Sequence, residues 1–107
     1  MEPNRAPRVR TEEAVTVVYK ATSHVRRLSG TMRDLSRTGV FFYADIRPEE
    51  GSSIQLMLTF PRDVTYADPV PVRCNGRVVR VESNGTGSRI GVAVQIDSYE
   101  ALALDSD

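Results

Sequence analysis

The alternation of apolar and polar residues is the feature of this sequence that most restricts its fold. The clearest example is a run of seven residues, Ile54, Gln55, Leu56, Met57, Leu58, Thr59 and Phe60. Successive side chains of a β-strand point to opposite faces, so this alternation predicts a strand with one buried face. The same period recurs along most of the chain, and no segment before the last ten residues has the period of a helix.

This pattern predicts an all-β fold. Six strands are expected, over residues 14–21, 25–35, 40–44, 54–60, 72–81 and 90–96. Turn-forming residues separate them at 34–39, 47–52 and 83–87. The apolar residues change phase between Cys74 and Val79, which predicts a bulge near Gly76. Six short strands with hairpin spacing predict a small six-stranded antiparallel β-barrel, because closing the sheet removes its edges.

The two ends of the chain fall outside this alternation. Residues 1–12 are interpreted as a basic N-terminal arm, which Pro7 favours in an extended conformation. Residues 13–107 are interpreted as a single barrel domain, since 107 residues suffice for one domain. Near the C-terminus, residues 98–104 predict a short helix with Ser98 as its N-cap.

Charge and composition exclude several classes of protein. The chain has 14 basic and 14 acidic residues, and this balance disfavours general binding to nucleic acid. No apolar run approaches the roughly 20 residues that span a bilayer, so no membrane insertion is expected. The N-terminus lacks the apolar core of a signal peptide, and the single Cys74 allows no internal disulfide. These features together predict a cytoplasmic protein.

Residues suited to catalysis are scarce. His24 is the only histidine, and it lies at a predicted turn without a marked nucleophile or orienting group. Cys74 alternates in phase with Val72, which favours a core position. One histidine and one cysteine do not complete a typical metal shell, and no phosphate loop is present. We therefore expect no enzyme, no bound metal and no cofactor.

Two segments are candidates for ligand binding. The arm carries Arg5, Arg8 and Arg10, and a guanidinium group can bind phosphate bidentately or stack on an aromatic ring. A solvated, frayed terminus is the alternative interpretation. The second segment, residues 34–39, contains a carboxylate, a hydroxyl and a glycine that permits close approach to the backbone. A carboxylate can accept from the N1–H and amine of guanine, although the same residues also suit an ordinary turn.

Together these segments resemble the PilZ domain family. In that family an R-x-x-x-R motif precedes the first strand, and a D/N-x-S-x-x-G motif follows the second. Asp34-Leu-Ser36-Arg-Thr-Gly39 matches the second motif, and the resemblance extends over residues 4–97. In the arm, placing Arg8 on the second motif arginine puts Asn4 at the first, with Arg5 one position late. The resemblance implies a six-stranded barrel with a C-terminal helical piece.

The resemblance also implies a function, the binding of the bacterial second messenger cyclic di-GMP. The expected ligand-binding residues are Arg5, Arg8, Arg10, Asp34, Ser36 and Gly39. In such domains the aspartate and serine read guanine, and an effector protein would receive the signal. The imperfect arginine motif leaves a second interpretation, a degenerate adaptor that binds a protein and no nucleotide. Binding of single-stranded nucleic acid is disfavoured by the zero net charge and few aromatic residues. Ligand stoichiometry and oligomeric state stay open.

Overall fold

A computed structural model of the chain describes residues 8–21, 24–62, 68–83 and 89–102. These residues contain seven β-strands. They are β1 (Val9–Arg10), β2 (Ala14–Ala21), β3 (His24–Leu35), β4 (Gly39–Ala44), β5 (Ser53–Phe60), β6 (Val70–Ser83) and β7 (Ile90–Ala101). Within the described residues, no helix is long and apolar enough to cross a membrane.

Strands β2 to β7 close into an antiparallel barrel. Around it the order is β3-β2-β5-β6-β7-β4, and pairing between β4 and β3 completes the ring. The short strand β1 pairs with the end of β3, where Val9 lies opposite Leu35 and Arg10 opposite Asp34. The predicted six-stranded antiparallel barrel is confirmed, and β1 is an additional strand within the segment interpreted as the arm.

The barrel interior is filled by the apolar residues of the alternating pattern. In β5, the side chains of Ile54, Leu56, Leu58 and Phe60 are buried, as the period of two predicts. Cys74 is only 1% exposed and belongs to the same core, which confirms its predicted position. The interior therefore consists almost entirely of side chains whose orientation follows from strand geometry.

The pairing of β6 with β7 contains two irregularities. The register shifts between Asn75 and Gly76, which confirms a bulge near Gly76, and it shifts again between Val78 and Arg80. The second shift leaves Val79 without an opposite residue, and its side chain is 49% exposed. A bulge of one residue reverses the faces of the residues that follow. Val79 is therefore the position at which the inward-facing residues of β6 shift from even to odd numbers.

The C-terminal segment continues as a strand where a helix was predicted. Strand β7 runs through Ala101, with Ser98 opposite Asn75 and Glu100 opposite Arg73. The prediction of a helix is wrong over residues 98–101, because pairing with β6 satisfies the backbone groups that a helix would otherwise bond internally. Residues 103–107 lie outside the described part of the chain.

Two of the predicted turns fall partly on residues that the structure does not describe. Residues 84–88 lie between β6 and β7, and residues 22–23 lie between β2 and β3. The flanking strands pair antiparallel up to these gaps, with Ser83 opposite Ile90 and Ala21 opposite His24. The strand pairs that the two turns were predicted to connect are therefore present.

Candidate functional site

The carboxylate of Asp34 is the centre of a charged cluster on the outside of the barrel. Asp34 lies near the end of β3 and is 5% exposed. One of its oxygens, Oδ1, accepts from Nε of Arg8 at 2.8 Å and lies 2.7 Å from Nη2 of the same residue. The other, Oδ2, accepts from Nε of Arg33 at 2.8 Å. Two arginines therefore hold both oxygens of one nearly buried carboxylate.

This arrangement keeps Asp34 ionised. Burial by itself would raise the pKa of the Asp34 carboxyl, but the hydrogen bonds and charges of Arg33 and Arg8 outweigh it and hold that pKa below its ordinary value. The pKa of Arg33 is raised, mainly by its hydrogen bond to Asp34. The site consequently presents one negative charge between two positive ones.

Strand β1 explains how Arg8 reaches this carboxylate. Val9 is partly buried and packs against the core, so that the alternation of a strand directs Arg8 to the outer face. The backbone N–H of Thr11 donates to the carbonyl of Arg33 at 3.1 Å, which extends the contact with β3 beyond the C-terminal end of β1. Pairing with β3 therefore holds the last residues of the predicted arm against the barrel.

Gly39 lies beside the Arg8 side chain. A Cβ atom at this position would approach Nη1 of Arg8 to 3.6 Å, an ordinary contact, and the carbonyl oxygen of Val94 to 3.2 Å, a tight one. The backbone of β7 therefore favours a glycine here, and the guanidinium group of Arg8 lies next to the start of β4. Arg8, Asp34 and Gly39, which the sequence placed in one candidate site, lie together.

Ser36 occupies the interior of the turn between β3 and β4. Its side chain is fully buried, and its hydroxyl accepts from the backbone N–H groups of Thr38 and Gly39, each at 3.2 Å. The backbone N–H of Ser36 donates to the Gly39 carbonyl at 2.8 Å. In this structure the hydroxyl stabilises the turn, and its expected contact with a guanine stays a prediction. Its contribution to the site is to set the position of Gly39.

A layer of aromatic rings beneath the cluster was not predicted from the sequence. Phe41 is buried on the outside of the barrel, where its ring lies against Gly91. The guanidinium of Arg33 lies 4.0 Å from the centroid of this ring, in a cation–π contact. The adjacent aromatics Phe41 and Phe42 were a usable signal, because neighbouring strand residues face opposite sides and one must lie outside the core.

The remaining predicted residues lie elsewhere. Arg5 and Asn4 fall in residues 1–7, outside the described part of the chain. The side chain of Arg10 is exposed and lines a neighbouring cleft together with Arg33 and Arg89. The structure therefore brings together Arg8, Asp34, Ser36 and Gly39 and adds Arg33 to them, while Arg10, which lies opposite Asp34 in the strand pairing, lines the neighbouring cleft.

Comparisons with known proteins agree with this architecture. Residues 3–104 match the family model of the PilZ domain. A comparison with the curated proteins found no match. Among solved structures, the Bacillus subtilis inhibitor of motility (MotI/DgrA) is similar, with 11% sequence identity and a TM-score of 0.65 over 92% of this chain. That similarity establishes a shared fold, and this chain spans 44% of the length of the Bacillus protein.

Proposed function

This chain belongs to the PilZ domain family, a family of cyclic di-GMP receptors, and on that basis we propose that it binds cyclic di-GMP and relays the signal to a partner protein. The binding site is the outer barrel face that carries Arg8, Asp34 and Gly39. The observation that carries the proposal is the contact of Arg8 with Asp34, beside Gly39, which joins the arm to the D-x-S-x-x-G motif.

The chemistry of these groups fits the two parts of the ligand. A carboxylate accepts hydrogen bonds from both the N1–H and the exocyclic amine of guanine, and Asp34 is ionised for this role. A guanidinium group binds phosphate bidentately, which suits Arg8. Gly39 lies beside the Arg8 guanidinium, and its lack of a side chain suits a ligand that displaces that group. Arg5 is proposed as a further phosphate contact from the preceding part of the arm.

Binding requires an exchange of partners at Asp34. Because Arg8 and Arg33 hold both carboxylate oxygens, a guanine that bonds to Oδ1 replaces Arg8 there. The released guanidinium then pairs with a ligand phosphate, while Arg33 keeps Oδ2 in place. This exchange moves the arm relative to the barrel, and a partner protein binds the surface that results.

Isothermal titration with cyclic di-GMP, with GTP as the control ligand, tests this assignment. We expect binding in the micromolar range or tighter, and a loss of roughly 10- to 150-fold in Arg8→Ala, the value of one charge-assisted contact of about 1.5–3 kcal/mol. Arg73→Ala is the matched control, since Arg73 pairs with Glu100 away from the site. Equal affinities in the two variants would contradict the proposal.

One observation favours a second function, that of an adaptor that binds a partner without nucleotide. Arg8 and Arg33 already satisfy both oxygens of Asp34, so that the cluster is complete without a ligand. The departure of Asn4 from the arginine motif agrees with this. No heat of binding and no thermal stabilisation at high cyclic di-GMP concentration would favour the adaptor. In both functions the chain acts by binding and not by catalysis.

A further inference from the structure

An open cleft of about 570 Å³ lies beside the Asp34 cluster and has a chemistry of its own. Three arginines from separate parts of the chain line it: Arg10 from β1, Arg33 from β3 and Arg89, which directly precedes β7. Glu12 is the one carboxylate among its lining residues, which leaves a formal charge of +2 on three guanidinium groups and one carboxylate. Neither Arg8 nor Gly39 lines this cleft.

Two of these arginines are held in place by aromatic rings. The guanidinium of Arg33 lies 4.0 Å from the centroid of Phe41, and that of Arg89 lies 4.6 Å from the centroid of Tyr43. The two rings meet edge to face, with centroids 5.5 Å apart. Stacked guanidinium groups lose less side-chain freedom when they bind a ligand, so this layer prepares the cleft for an anion.

The positive charge of the cleft is incompletely neutralised by the protein. Within the described part of the chain, Arg10 and Arg89 form no ion pair, and Arg33 uses its Nε for Asp34. Exposed arginines outside the cleft are of two kinds. Arg77 pairs with Asp97 and Arg80 with Glu82. Four others form no ion pair with the described residues, namely Arg26, Arg27, Arg37 and Arg47. What marks the cleft is that three arginines from separate parts of the chain line one concavity, two of them without an ion pair to any described residue.

We propose that this cleft is a second binding site for a phosphate group, such as the dianion of a phosphomonoester or one end of inorganic pyrophosphate. The fork of a guanidinium group matches the oxygens of a phosphate, and two negative charges balance the formal charge of the lining residues. The hydroxyls of Thr31 and Tyr43, which also line the cleft, offer further hydrogen bonds. A volume of this size lies within the range of small-ligand sites.

The site is distinct from the one proposed for cyclic di-GMP. It uses Arg10 and Arg89 in place of Arg8 and shares only Arg33, whose Nε stays bonded to Oδ2 of Asp34, so a phosphate bound there does not need to replace Arg8 at Oδ1. A failure of the chain to bind cyclic di-GMP would consequently leave this proposal intact.

A titration of the full chain with inorganic pyrophosphate, followed by amide NMR at constant ionic strength, tests the site. We expect saturable shifts at Thr31, Tyr43 and Arg89. Arg89→Gln and Arg10→Gln should each weaken binding by roughly 10-fold or more, since each removes a charge-assisted contact. Both side chains are exposed, so the amide spectra should show the fold retained. Arg73→Gln is the matched control and should bind as the unmodified chain does.

Three results would overturn the proposal. Shifts that rise linearly without saturation would indicate general electrostatic attraction. An equal loss in Arg89→Gln and Arg73→Gln would show that the cleft has no special role. A loss in Arg8→Ala as large as that in Arg89→Gln would place pyrophosphate at the Asp34 cluster.

Discussion

The ring of Phe41 lies directly against the backbone of Gly91, so that a methyl group at position 91 would overlap the ring. The guanidinium of Arg33 stacks on the Phe41 ring, and Nε of Arg33 donates to Oδ2 of Asp34. Because β4 pairs with both β7 and β3, this series of contacts crosses three neighbouring strands. A glycine on β7 therefore helps to position a carboxylate on β3.

The Gly91→Ala substitution should displace the Phe41 ring. We expect a loss of about 1–3 kcal/mol in the free energy of unfolding, the usual cost of an added methyl group in a packed site, measured by urea denaturation. In a Phe41→Val background the same substitution should cost less, because the smaller side chain leaves room for it. Strictly additive losses in this double-mutant cycle would show that the two residues are not coupled.

Because of Asp34, the free energy of unfolding should fall when the pH is lowered into the acid range. The folded pKa of Asp34 is lowered by Arg33 and Arg8 against the opposing effect of burial, so its stabilising contribution is fully present above the unfolded pKa of about 3.9. That contribution should be lost as the pH falls through the lower folded value. Unfolding free energies of the unmodified chain and of Asp34→Asn, measured from pH 7 downward, should therefore converge in acid.

Asp45→Asn is the control for this measurement, since Asp45 is exposed. Its difference from the unmodified chain should be small at pH 7. A gap between the unmodified chain and Asp34→Asn that stays constant with pH would mean that the two arginines do not stabilise the ionised carboxylate.

Ser36 should matter for stability even without a ligand. Its buried hydroxyl accepts from two backbone N–H groups, and Ser36→Ala would leave both donors without that partner. We expect a loss of about 1–3 kcal/mol, the cost of leaving the buried N–H of Gly39 unsatisfied, measured by thermal or urea unfolding. Ser53→Ala, at an exposed position at the start of β5, should change stability little. Equal losses of stability in the two variants would contradict a structural role of the Ser36 hydroxyl.

Cys74 should be chemically inert in the folded chain. Burial raises the pKa of its thiol to about 11, and the side chain is 1% exposed. Because the thiolate is the reacting form, a disulfide reagent at pH 8 should modify the native protein far more slowly than the protein in urea. Similar rates in the two conditions would mean that the core around Cys74 opens readily.

The barrel could be predicted because strand geometry converts a period of two directly into buried and exposed faces. Ile54, Leu56 and Leu58 are buried for that local reason, and the predicted core position of Cys74 follows from the same rule. The helix predicted from Ser98 failed for the opposite reason. Local capping and helix-forming residues were outweighed by pairing with β6, a contact between distant parts of the chain.

The candidate site divides in the same way. Asp34, Ser36 and Gly39 lie within six residues, from the end of β3 to the start of β4, and their spacing as a motif was enough to identify them in the sequence. Arg33, Phe41 and Arg89 escaped notice because their roles depend on which strands are neighbours and in what register. Arg8 and Arg10 were indistinguishable as arginines of one arm. They contact different places because pairing of β1 with β3 puts the backbone of Arg10 opposite Asp34, while the side chain of Arg8, two residues earlier, bonds to the Asp34 carboxylate and that of Arg10 lines the cleft.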